Sequence, residues 1–94
     1  MPERKSKKDI KIRINNTDYS LHEIIWEDIV GDSTLVSLDD FTKMQTSTIT
    51  TIAYILKQDK NCLFTFASYS NDGFYGDRNI IPVGVVKNIV KFEC

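Results

Sequence analysis

His22 is the only histidine in the chain, and it decides much of the chemistry that is open. His22-Glu23-Ile24-Ile25-Trp26 begins like a zinc-protease motif but places Trp26 where the second imidazole must stand. Zinc needs both imidazoles on one helical face, so that reading fails. A nucleophile–His–acid triad would also have to use His22, and no Gly-x-Ser-x-Gly turn presents a strained serine. Read as a calcium loop, Ser68–Asn79 puts Asp72-Gly73 at positions five and six but offers Asn79 where a bidentate Glu is required. Asp28 and Asp32, with Asp39 and Asp40, supply enough carboxylate for Mg²⁺, but cap and loop roles account for the same residues. Gly73 and Gly76 are not followed by Lys-Ser or Lys-Thr, so no phosphate-cradling loop is present. The expectation is a non-enzymatic chain without metal or cofactor.

Recognition chemistry is better represented. Tyr69, Phe74 and Tyr75 flank the Asn71-Asp72-Gly73 turn, with Arg78 close behind. Aromatic residues and Arg dominate the energetics of protein interfaces, and loops normally face water. The alternative is that Phe74 and Tyr75 fold back to plug the mouth of a barrel. Trp26, beside Glu27 and Asp28, is expected as a core anchor.

Charge is segregated along the 94 residues, whose formal net charge is −1. Residues 1–13 carry six basic side chains against Glu3 and Asp9, whereas residues 14–42 carry seven acids and no Lys or Arg. Such asymmetry points to association, although a basic tail and a solvated acidic face would give the same pattern. The acidic run, with Asp28, Asp32, Asp39 and Asp40, would suit a basic protein surface. Residues 14–94 are net negative and would repel phosphate, which argues against nucleic acid. Cys62 and Cys94 are expected as free thiols. No apolar run approaches a membrane span, and no signal peptide follows Met1-Pro2-Glu3-Arg4-Lys5, which implies a cytoplasmic protein. Asn15-Asn16-Thr17 matches a glycosylation sequon and is read as a turn.

The elements that must position these residues are mostly strands. Twelve Ile, six Val and eight Thr make 26 of 94 residues β-branched, against two Ala, five Leu and four Glu. Residues 1–8 read as a flexible basic tail, and 9–94 as a single β domain. Ile10, Ile12 and Ile14 alternate with Lys11 and Arg13, predicting a half-buried strand over 9–15. A second extended segment spans 19–30. Ser37-Leu38-Asp39-Asp40 resembles a capping box and starts a two-turn helix over 38–44 that would lid one end of the sheet. Thr46–Gln58 and Cys62–Tyr69 should pair as a hairpin around Asp59. Asn79-Ile80-Ile81 is a strand stopped at Pro82, followed by a tight corner at Val83-Gly84-Val85 and a last strand over 86–92. The sum is all-β with one short helix, a small barrel or strongly bent antiparallel sheet of five to six strands.

The run Ile81-Pro82, then a corner, then a final strand is similar to the end of Src-homology-3-like barrels. There, a single 3₁₀ turn links the last two strands. Trp26-Glu27-Asp28, the short helix with Phe41, Ala53-Tyr54-Ile55-Leu56 and Gly76-Asp77-Arg78-Asn79-Ile80-Ile81-Pro82 together resemble small phage and prophage proteins over about residues 24–90. The resemblance implies a fold and a phage context, and no mechanism. Three roles are therefore expected as alternatives. One is an inhibitor of a host or bacterial defence protein, using the acidic segment and the 69–78 loop. Another is a sponge for a small anionic signalling nucleotide at a homo-oligomer interface, with Arg78, Tyr75 and lysines of the basic tail as ligands. The third is a minor virion component.

Overall fold

The computed structural model describes residues 8–94. The basic tail expected over 1–8 therefore lies, apart from Lys8, outside the described residues. Lys8 itself exchanges both backbone hydrogen bonds with Cys94, and Asp9 bridges Glu93.

Strands β1 (Lys11–Ile14) and β2 (Thr17–Asp28) form a hairpin through Asn15 and Asn16, whose φ values are 51° and 64°. Two consecutive left-handed residues make the turn type whose twist matches antiparallel strands, and Asn tolerates it best after Gly. β2 is the spine. Its first residues pair with β1, and Leu21–Asp28 then pair with Tyr54–Ser47 of β3 (Ser47–Gln58). The other edge of β2 holds the last strand, Val86–Lys91. β3 turns at Asp59 into β4 (Cys62–Phe66), where Leu56 is left unopposed between the pairs Ile55↔Thr65 and Lys57↔Phe64. A two-stranded ribbon follows, β5 (Ser68–Tyr69) with β6 (Tyr75–Gly76). The chain then runs antiparallel to β4 as β7 (Asn79–Pro82). A 3₁₀ turn over Val83–Val85 leads into β8, the strand on the free edge of β2.

The fold is thus all-β with one short helix, α1 (Leu38–Thr42), and a six-stranded antiparallel sheet. The 3₁₀ corner stands where the Pro82 segment implied it. The sheet does not close into a barrel, because β7 and β8 are joined by the corner and not by a ladder. Pro82 is tolerated inside β7 because that strand is an edge and needs no second donor there.

Two apolar clusters hold the sheet. Ile24, Leu63 and Ile81 are almost wholly buried, under Trp26, Ile55, Val86 and Ile89. Ile14, Tyr19 and Phe66 form the other cluster, with Tyr54 and Tyr75 packed against it. Full burial of a side chain such as Ile24 or Leu63 contributes roughly 1.5–3 kcal/mol. Trp26 is half-buried, and its indole N–H donates to Thr51 Oγ1 at 3.0 Å, which answers the polar end of an otherwise apolar anchor.

One prediction fails. The helix does not lid the sheet: α1 buries no residue, and every residue from 29 to 48 is exposed. Its five residues are also fewer than the two turns expected. The segment between β2 and β3 instead stands off the sheet as an arm.

Candidate functional site

The structure separates the sequence-predicted site residues into two groups. Asp28, Asp32, Asp39 and Asp40 all lie at or beyond the end of β2, on the arm. Phe74, Tyr75 and Arg78 line a cleft beside β4 and β7, near the far end of β3. Ser47 stands at the arm and Leu56 at the cleft, so nine residues of strand, or roughly 30 Å, separate them. They do not form one surface.

On the arm, the carboxylates of Asp28, Asp32 and Asp39 each have a local partner, while Asp40 engages through its amide. Asp28 Oδ1 accepts the Ile29 amide at 2.8 Å. Asp32 Oδ1 accepts both the hydroxyl and the amide of Thr34, which holds its carboxyl below the usual carboxylate range. Ser37 Oγ accepts the Asp40 amide at 3.1 Å and caps α1, so the capping box is half made. Asp39 pairs with Lys43 at 3.1 Å, four residues on and fully in water, where such a pair adds little. At the root, Glu27 accepts hydrogen bonds from Thr48 and Thr46, which push its carboxyl down and fasten β2 to β3.

Polar caps shape the arm, but its exposed surface is apolar. Ile29, Val30, Leu35, Val36, Leu38, Phe41 and Met44 are all exposed, Leu35 completely, Leu38 at 77% and Phe41 at 63%. Most of them wrap a concave space of about 580 Å³. A five-residue helix is marginal in water, and apolar residues gathered on a projecting element mark a contact surface.

The cleft is built differently. The Asn71–Gly73 turn is held from outside, because Asn15 Nδ2 donates to Gly73 O at 3.4 Å. Within it, Ser70 Oγ donates to Asp72 at 2.6 Å and accepts the Phe74 amide. Gly73 has φ +89°, and a Cβ there would lie 2.6 Å from Asn15 Oδ1. The ribbon then alternates. Tyr75 turns inward, edge-on to Phe66 and hydrogen-bonded through its hydroxyl to Tyr19 at 3.2 Å, while Phe74 turns outward at 70% exposure. That shared hydrogen bond, and then burial, raise the Tyr19 hydroxyl above its ordinary value. Of the two readings weighed for this pair, folding back describes Tyr75 and an exposed loop aromatic describes Phe74. Tyr69, paired with Tyr75 across the ribbon, is exposed and does not line the cleft.

The cleft encloses about 430 Å³ between Phe74, Tyr75, Arg78, Leu56, Phe64 and Ile80. Arg78 is the cation of the lining, and Lys57 Nζ lies over the ring of the lining residue Phe64, 4.5 Å from its centroid. Leu56, Phe64 and Ile80 were legible in the sequence only as strand positions. Their exposure follows from the bulge at Leu56 and from the edge position of β7.

The remaining chemical groups stay apart. His22 Nδ1 lies 2.9 Å from Ser20 O. Among the described residues no three His, Cys, Asp or Glu side chains gather into a metal-binding group, and Cys62 and Cys94 are free. No described helix is long and apolar enough to cross a membrane. Comparison of the chain with known protein families, with curated proteins and with solved structures finds no match.

Proposed function

We propose that this chain is a small, non-enzymatic, phage-type accessory protein that works by binding a host or bacterial defence protein in the cytoplasm. The arm is the contact element. The observation that carries the reading is the arm itself: twenty consecutive exposed residues with seven large apolar side chains and three aspartates, and with Asp28 at their root. Apolar residues supply the desolvated centre of an interface, and the carboxylates steer the approach and reject acidic surfaces. The partner would therefore present an apolar depression rimmed by Lys or Arg.

Affinity capture from bacterial lysate tests this. Wild-type protein should retain a stoichiometric protein partner. Phe41→Asp should lose it, as should joint reversal of Asp28, Asp32, Asp39 and Asp40 to Lys. A partner kept by both variants would refute the reading.

The cleft supports a second reading, a sponge for a small anionic nucleotide. It places Phe74 and Phe64 near Arg78, which suits a planar ring bearing negative charge. A bound mass of several hundred daltons that is lost in Arg78→Ala, yet kept in the arm variants, would favour it over the first reading.

A further inference from the structure

The arm and the cleft are two exposed apolar surfaces of opposite charge on one molecule. The arm carries four aspartates against Lys43, which is already paired with Asp39. Arg78 lines the cleft and Lys57 sits over Phe64, one of its lining residues; among the described residues neither cation has a carboxylate within ion-pair distance. Asp77, next to Arg78 in sequence, makes no ion pair with it.

The arm cannot reach its own cleft. β2 and β3 are hydrogen-bonded continuously from Asp28↔Ser47 to Leu21↔Tyr54, so the ribbon holds the two surfaces roughly 30 Å apart. Leu38 and Phe41, three residues apart, project from one side of α1. A cleft of about 430 Å³ has room for such a pair of side chains but not for a whole helix.

We propose that the arm of one copy seats Leu38 and Phe41 in the cleft of a second copy, with Asp39 and Asp40 facing Arg78 and Lys57. This rests on reading the arm as the contact element, and it names another copy of this chain as an occupant that competes with any other partner. The contact is head-to-tail, because arm and cleft are different patches. Each added copy leaves one arm and one cleft free until a ring closes. Once a ring closes, every arm in the assembly is covered.

Sedimentation velocity on the pure protein tests the proposal. Wild type should sediment above monomer mass, more so at higher concentration and less so in high salt. Phe41→Asp and Phe74→Asp should each be monomeric, with dissociation constants weakened at least about tenfold. Both residues are exposed and outside the two core clusters, so folding is preserved, and circular dichroism verifies it. An equal mixture of the two variants retains one intact cleft and one intact arm, and should recover a dimer and nothing larger. A monomeric wild type, a variant that assembles like wild type, or a mixture that stays monomeric while wild type assembles would each overturn the proposal. A wild-type monomer that still captures a bacterial partner through Phe41 would overturn self-seating alone and leave the contact role of the arm intact.

Discussion

Leu63 and Ile24, both with no exposed surface, set the stability of the sheet, and neither touches the arm. Leu63→Ala should cost about 2–5 kcal/mol, a large share of the stability of so small a domain, read from denaturant unfolding. Gly73→Ala should destabilise by more than about 1 kcal/mol in the same measurement, since alanine strains φ +89° and collides with Asn15. Asp59 gives a pH signature. Its carboxylate accepts the amides of Cys62 and Asn61, at 2.7 and 2.8 Å, which depresses its pKa. The unfolded chain takes up that proton at the ordinary carboxylate value, while the folded turn still resists it. The contribution of Asp59 is therefore complete above that value and disappears as pH falls through the lower folded one. Thermal melts should show wild type more stable than Asp59→Ala at pH 7, with the difference narrowing as pH falls below the ordinary carboxylate range. At this scale the turn residues were legible in sequence, because Asn15, Asn16 and Asp59 act through local backbone bonds. The inward and outward parts of Tyr75 and Phe74 were not, because a two-residue ribbon has no long-range period.

The strands were readable for a related reason. Alternation in Ile10–Ile14 and the β-branched run 46–58 both express a local rule, a pleat with one face buried. Their observed limits, Lys11–Ile14 and Ser47–Gln58, fall inside those runs. The last strand ends at Lys91, one residue early, and the strand read over 62–69 breaks at Ala67 into β4 and β5. The helix was legible as a capped turn but not as an exposed one. Leu38, Phe41 and Met44 at helical spacing normally mean a face turned toward a core, and nothing local says that the core lies elsewhere. A denser signal was present: seven large apolar residues within 29–44, between strands, exceed what a solvated loop needs. Because the arm buries nothing within its own chain, Phe41→Asp and Leu35→Asp should, at concentrations dilute enough for wild type to be monomeric, leave the melting temperature within about 2 °C of wild type, equivalent to changes under about 0.5 kcal/mol. A larger drop in a calorimetric scan would mean that the arm packs on the sheet after all.

For the molecule as a whole, composition announced a β-rich fold, and the Pro82 corner announced how β7 passes to β8. Whether the sheet would close was not legible, because closure depends on the distance between two edge strands, a quantity that no local pattern encodes. The charge asymmetry of residues 14–42 was plain in sequence; that Asp28, Asp32, Asp39 and Asp40 and the 69–78 loop occupy opposite ends of β3 became visible only in three dimensions. The proposed contact role of the arm can be checked by native mass spectrometry of untagged wild type and Phe41→Asp, each purified from bacterial lysate. Wild type should carry added protein mass, a partner or further copies, and the variant should be a bare monomer. Identical spectra for the two proteins would contradict that role.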